Sequence, residues 1–143
     1  MQFSAFTTYA AEVGIAVEVT SEAQNSDYES GRALIDDETW HIRTARTTPT
    51  KPGAFVAFWQ RDAAGKTVPF RNDDPVAGLM VFVEQDGRRG VFQFTTAQLA
   101  GLGITAGRRA GKRGFRVYPS WCTGLNPQAT ATQRAQAPAF REY

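Results

Sequence analysis

Arginine and lysine side chains gather around one bend of the chain, between residues 43 and 61. Arg43 and Arg46 precede a loop of threonine, proline and glycine that holds Lys51, and Arg61 ends the strand-like run after this loop. A guanidinium group binds a phosphate through two nitrogens, and a lysine binds it as a point charge. The residue types in this bend therefore predict contact with an anion.

A second basic segment contains Lys112, Arg113 and Arg116, interleaved with aromatic residues. Arg116 stands between Phe115 and Val117 in a short strand-like run, so its side chain must face either solvent or a polar site. Cations beside aromatic faces are typical of surfaces that bind phosphates and stack bases. The alternative is a solvated sheet edge whose aromatic residues belong to the core.

The charges are distributed unevenly along the chain, although the formal net charge is only +2. Eight acids accompany one arginine up to Ile42, whereas fifteen cations accompany six acids from Arg43 onward. Such polarity favours a basic face that binds a polyanion. The opposite outcome is that the two halves interleave in the fold and neutralise each other.

Several kinds of active site have no counterpart in the sequence. It contains no Walker-type phosphate loop, no dinucleotide fingerprint and no zinc-spaced set of cysteines and histidines. His41 is the only histidine and Cys122 the only cysteine, so a nucleophilic pair would require the fold to join them. A histidine in a strand is more often structural, and we expect Cys122 beside Trp121 to be half-buried and inert.

The enzymatic alternative is an enzyme that acts on a phosphorylated substrate, and a nuclease is its most concrete form, with Lys51 and Asp74 as catalytic candidates. Phosphodiester hydrolysis of this kind needs carboxylates that hold Mg²⁺ and a lysine near the attacked phosphate. The available carboxylates are those of Glu29, Asp36, Asp73, Asp74 and Glu84. A restriction-enzyme-like site places an acid two residues before the lysine, where this chain has Pro49. Both aspartate pairs also lie in turn-like surroundings, so no metal ligand is assigned.

Hydrophobic periodicity predicts one α+β domain over residues 1–143, a largely antiparallel sheet with an N-terminal and a C-terminal helix packed on it. The predicted strands cover residues 32–35, 39–47, 54–61, 79–84, 90–94 and 115–118. The predicted helices cover residues 4–13, 96–102 and 126–136; Gly14 should end the first, and Asn126-Pro127 should start the last. Alternation puts Trp40 and His41 on opposite faces of their strand. Residues 79–84 should be buried on both faces, and Asp86-Gly87 should close a hairpin. Residues 20–30 are polar and are predicted to form a loop.

The composition fits a cytoplasmic protein that does not contact a membrane. Hydrophobic residues make up 42% of the 143 residues, enough for one core. A single cysteine requires no oxidising compartment. No apolar run approaches the ~20 residues of a membrane span, and the first residues lack the features of a signal peptide.

The basic segments and their surroundings resemble the MepB family of small bacterial proteins. The matching runs are Arg43–Arg61, Pro69-Phe70 with Asp74, Gly90–Phe94, Gly111–Trp121 and Gln128–Gln133. The chain departs from the family pattern at Arg46, where lysine is usual, at Thr95, where proline is usual, and at Arg134-Ala135, where a tryptophan is usual. The family is named for its place beside a multidrug efflux pump gene, so the resemblance implies a shared site rather than a particular activity.

The leading hypothesis is a domain that binds nucleic acid, or another phosphate-bearing ligand, in a basic cleft. The resemblance selects six cations for this cleft: Arg43, Lys51, Arg61, Lys112, Arg113 and Arg116. Polar or stacking contacts would come from Trp121, Gln128 and Gln133. Binding of this kind needs no cofactor, whereas a nuclease would need Mg²⁺. A third alternative is a module whose basic face binds an acidic protein.

Overall fold

The computed structural model describes residues 3–15 and 18–143. The helices are α1 (Ser4–Val13), α2 (Thr96–Gly101) and α3 (Pro127–Gln136). The strands are β1 (Glu18–Ser21), β2 (Gly31–Ile35), β3 (Glu38–Thr44), β4 (Arg46–Thr47), β5 (Ala54–Ala57), β6 (Trp59–Arg61), β7 (Thr67–Pro69), β8 (Gly78–Gln85), β9 (Arg88–Thr95), β10 (Gly114–Val117) and β11 (Phe140–Glu142). This content confirms the α+β fold.

A six-stranded sheet in the order β1-β2-β3-β8-β9-β11 forms the centre of the molecule. All of its strand pairs are antiparallel except β3 and β8, which run parallel. The β2–β3 and β8–β9 hairpins turn through Asp36-Asp37 and Asp86-Gly87, and all four residues have positive φ. Turns of this kind match the right-handed twist of the paired strands. The apolar run of β8 is buried on both faces, as the sequence predicts.

Helix α1 covers one face of this sheet. Phe6 and Tyr9 of the helix pack on Phe82, and Trp40 and Ile42 of β3 belong to the same cluster. Gly14 follows the helix in the left-handed conformation, and its N–H bonds to the carbonyl oxygen of Ala10. The helical spacing of apolar residues and the glycine stop are both confirmed.

The opposite face of the sheet packs against two smaller sheets, β10-β5-β4 and β6-β7. Leu79, Val81 and Phe92 of the large sheet meet Val56 and Val117 of the small one in a second apolar cluster. Because side chains alternate along a strand, His41 and Arg43 point to this second layer while Trp40 and Ile42 point to α1. The side chain of Arg43 is buried as a result of this alternation.

Two predicted strands are divided in the structure. The run predicted at residues 39–47 leaves the large sheet at Ala45, whose N–H bonds to the carbonyl of Phe82, and continues as β4 in the small sheet. The run predicted at residues 54–61 breaks at Phe58, and β6 then pairs with β7. A side-chain pattern does not record a change of partner strand, so neither break was predicted.

Helix α3 packs on β10, at the edge of the small sheet rather than on the large one. Gln136 of α3 is buried and bonds twice to the chain at the end of β10. Its Nε2 donates to the carbonyl oxygen of Arg116, and its Oε1 accepts from the N–H of Tyr118. Within the described ranges, no helix has the length and apolarity of a membrane-crossing segment.

Candidate functional site

A groove of about 790 Å³ lies between α3, β10 and the loop before β5. Three of the predicted cations line it, Lys51, Lys112 and Arg116, together with Gln128 of α3. We call this surface the basic groove. Among the described residues that line it there is no aspartate or glutamate. Lys51 and Lys112 are exposed and form no ion pair within the described part of the chain.

Arg116 fixes the shape of this groove. Its Nε and Nη2 donate to the carbonyl oxygen of Pro52 at 3.2 and 2.9 Å, and Nη2 also donates to Thr48 Oγ1 at 2.7 Å. The guanidinium therefore joins β10 to residues 48–53, which we call the Lys51 loop. Gly53 ends the loop with φ of 74°, and a Cβ there would lie 2.5 Å from the carbonyl oxygen of Val117. Only glycine allows the loop to approach β10 this closely.

The beginning of α3 adds a favourable field to the basic groove. Asn126 caps the helix through a bond from the N–H of Ala129 to its Oδ1 at 2.8 Å, and Pro127 occupies the first turn, as predicted. Asn126, Gln128 and Ala129 all line the groove. The N-terminus of a helix carries partial positive charge and unpaired N–H groups, which favour an anion nearby.

The outer face of the small sheet extends this basic surface. Phe55 of β5 pairs with Arg116 of β10 on one side and with Arg46 of β4 on the other. Directly opposed residues share a face, so the three side chains form one row across the sheet. The two arginines are separated by two strand spacings, roughly 10 Å.

Arg43 does not contribute to this surface. Its side chain has 0% exposure, and Nη2 donates to Glu22 Oε2 at 3.0 Å and to Asn25 Oδ1 at 3.1 Å. The guanidinium also lies over the ring of Phe58. Burial lowers the pKa of Arg43, and the charge and hydrogen bonding of Glu22 oppose this shift. The prediction that Arg43 lines a basic cleft is therefore corrected. This arginine is buried and neutralises an internal acid, Glu22.

Glu22 is the centre of a buried polar network that spans three segments. Its Oε1 lies 2.8 Å from His41 Nδ1, and His41 Nε2 lies 2.8 Å from Asp74 Oδ2. Both ring nitrogens of His41 thus lie within hydrogen-bonding distance of a carboxylate oxygen. Burial by itself raises the pKa of Glu22, but the hydrogen bond from His41 and the charge of Arg43 outweigh it and lower the pKa.

The remaining predicted site residues lie in other surroundings. Arg61 is exposed on β6, with its guanidinium over the ring of Trp59. Arg113 is exposed, and its backbone carbonyl accepts a bond from the N–H of Phe58. Trp121 donates from Nε1 to Gln85. Gln133 uses Nε2 to bond the carbonyls of Pro119 and Cys122, so it holds the chain between β10 and α3.

The carboxylates considered for a nuclease are dispersed. Asp73 pairs with Arg71, Glu29 accepts from Thr44, and Asp74 bonds to His41. Across residues 3–15 and 18–143, no group of three or more histidine, cysteine or acidic side chains is arranged to hold a metal ion. Cys122 and His41 have different hydrogen-bond partners, so the structure does not join them as a nucleophilic pair.

Comparison with known proteins agrees with these motifs. The sequence profile described as MepB-like matches residues 22–142. The chain belongs to the MepB-like family. The crystal structure of MepB has the same fold, with a TM-score of 0.87 and 32% identity over 97% of this chain and 96% of that chain. The comparison with curated proteins gives no match. Family membership, predicted from the runs around Lys51 and Arg116, is confirmed.

Glu22 and Asn25 are not among the residues predicted for the site. Both lie in the polar stretch predicted to be a loop, and they reach β3 across about twenty residues of sequence. One signal was available: Arg43 follows two buried positions in a strand, and an arginine on the inward face needs an acidic partner. The acid-rich N-terminal part of the chain supplies that partner.

Proposed function

We propose that this MepB-like protein binds the phosphate backbone of nucleic acid in the basic groove. The observation that carries the proposal is the lining of this groove, where Lys51, Lys112 and Arg116 converge without a carboxylate among the described lining residues. Cations gathered without acids attract a polyanion, because their fields add in the concave surface. The N-terminus of α3 contributes in the same direction.

The row of Arg46, Phe55 and Arg116 gives the bound strand a path beyond the groove. Arg116 belongs to both surfaces, since it lines the groove and pairs with Phe55 in the sheet. Phe55 is half-buried and stands between the two arginines in the register of the sheet. Such a combination supports binding through phosphates and base stacking rather than reading of a base sequence.

A cytoplasmic location accords with this function and is part of the proposal. The nuclease alternative lacks a comparable observation, because no carboxylate is among the described residues that line the groove with Lys51. Binding to an acidic protein would use the same cations. The carboxylates of a protein surface are irregularly spaced, however, whereas the phosphates of a nucleic-acid strand are regularly spaced. The groove and the sheet row share Arg116, and a connected set of cations suits a regularly charged strand.

Fluorescence anisotropy with labelled strands tests this function directly. We expect the protein to bind single-stranded DNA, duplex DNA and RNA at low salt, and to bind polyglutamate of equal charge more weakly. Each strand is also recovered after incubation with Mg²⁺ or Mn²⁺ and measured on a gel; we expect it to be intact. Absence of binding at low salt, or equal affinity for polyglutamate, would overturn the proposal. Cleavage that Asp74→Asn abolishes would replace it with the nuclease alternative.

A further inference from the structure

A second concave site lies away from the basic groove, beside β6. This space of about 560 Å³ is lined by Glu22, Asn25, Arg32, Trp59, Arg61 and Phe70, among others, and we call it the β6 pocket. Its size falls within the range of small-molecule sites, ~300–1,000 Å³. No residue of the basic groove lines it among the described residues.

The carboxylate of Glu22 at the floor of the β6 pocket is fully hydrogen-bonded, and its charge is balanced by Arg43. Both oxygens of Glu22 are engaged, Oε1 by His41 and Oε2 by Arg43 and Gln24. Asn25 is only 8% exposed, and its Oδ1 accepts from Arg43 and from the N–H of Trp59. Its Nδ2 is a buried donor that has no partner among the described residues. A buried donor without a partner is uncommon in folded proteins, and this one lies in a residue that lines the pocket.

The rim of the pocket carries positive charge. The guanidinium of Arg61 lies over Trp59, 5.1 Å from the ring centroid, and its Nη1 donates to the carbonyl oxygen of Gly65. Arg32 stands across the pocket on β2, exposed and 4.0 Å from Glu22. Because the charge of Glu22 is balanced from within by Arg43, these two arginines remain as an excess of positive charge at the entrance.

We infer that the β6 pocket binds a nucleoside phosphate, either as a free mononucleotide or as one nucleotide of a strand. The two arginines suit the phosphate, the half-buried indole of Trp59 provides an apolar surface, and the amide of Gln60 offers a donor and an acceptor to a planar ring. This inference does not depend on the ligand of the basic groove.

Titration calorimetry with the four ribonucleoside monophosphates tests the inference, with ribose 5-phosphate and inorganic phosphate as comparison probes. We expect at least one mononucleotide to bind with Kd below about 1 mM. Arg61→Ala and Arg32→Ala should each weaken it about tenfold or more. Both arginines are exposed, so equal melting temperatures will show that the variants fold.

The controls separate this site from the basic groove. Lys51→Ala/Lys112→Ala should leave mononucleotide affinity within about twofold of wild type, well short of the tenfold loss expected for the arginine variants. Loss of mononucleotide binding in that variant, no saturable binding at all, or equal affinity for ribose 5-phosphate would overturn the inference. Competition between a mononucleotide and a strand would identify the strand's own nucleotide as the ligand. Independent binding would identify the free mononucleotide.

Discussion

Arg43 donates from Nη2 to Glu22 Oε2 across 3.0 Å, with side-chain exposures of 0% and 8%. This ion pair links the polar stretch after β1 to β3 and fills the space behind Phe58 and Phe70. It pairs an acid from the acidic part of the sequence with an arginine from the basic part inside the molecule. The charge of Arg43 is neutralised inside the molecule, whereas Lys51 and Lys112 remain exposed at the surface.

Glu22→Gln should destabilise the fold strongly. The substitution removes the charge opposite a fully buried guanidinium, and an uncompensated buried charge costs about 3–5 kcal/mol. Urea unfolding measures the change, with Glu38→Gln as the control because Glu38 is exposed at the start of β3. A loss in Glu22→Gln no larger than in Glu38→Gln would contradict the structural role of this pair.

Acidification should destabilise the wild type through the same carboxylate. The pKa of Glu22 lies below its ordinary 4.5 in the folded state, so the unfolded chain takes up the proton at higher pH. The contribution is therefore complete above that value and is lost as pH falls through the folded pKa. Melting temperatures between about pH 6 and pH 3 should fall less steeply in Glu22→Gln than in wild type. Parallel curves would show that Glu22 does not carry this dependence.

Arg116→Lys should weaken nucleic-acid binding although it keeps the charge. Lysine cannot donate at once to Pro52 and Thr48 in the planar geometry of a guanidinium, so the Lys51 loop loses its attachment to β10. We expect faster amide hydrogen exchange in residues 48–53 and a loss of about 1 kcal/mol in binding free energy. Arg113→Lys, at an exposed position, serves as the control. Unchanged exchange in the loop would refute the positioning role of Arg116.

Cys122 should react slowly with thiol reagents. Burial raises the pKa of its thiol, and the backbone hydrogen bond from Gly53 only partly offsets this shift. The thiolate is the reactive species, so the folded protein at about pH 8 should react several-fold more slowly than the same protein in denaturant. Equal rates in the two conditions would mean that the thiol is not protected by its surroundings.

The regular parts of the fold follow from local signals in the sequence. The alternation of Trp40 and His41, the positive-φ turn at Asp86-Gly87 and the Asn126-Pro127 helix start each act over a few residues, and each is confirmed. The short strand β11 was not predicted, because its pairing with β9 is set by the path of the chain after α3.

The candidate site was only partly predictable for a related reason. Lys51, Lys112, Arg116 and Gln128 were chosen from three separate segments, and the fold places all four in the basic groove. Arg43 carries the same charge and lies in the same motif, yet its position in β3 turns it inward. Residue type alone could not distinguish an arginine that binds a ligand from one that neutralises a buried acid.

The salt dependence of nucleic-acid affinity tests the basic groove most directly. Anisotropy is measured over a range of salt for wild type, Lys51→Ala/Lys112→Ala and Arg108→Ala/Arg134→Ala, which removes the same charge at exposed positions outside the groove. The groove pair should reduce the magnitude of the slope of log K against log salt by about 1.4 for single strands and about 1.8 for duplex DNA. The outside pair should keep the wild-type slope. Equal slopes in the two variants would contradict binding at this groove.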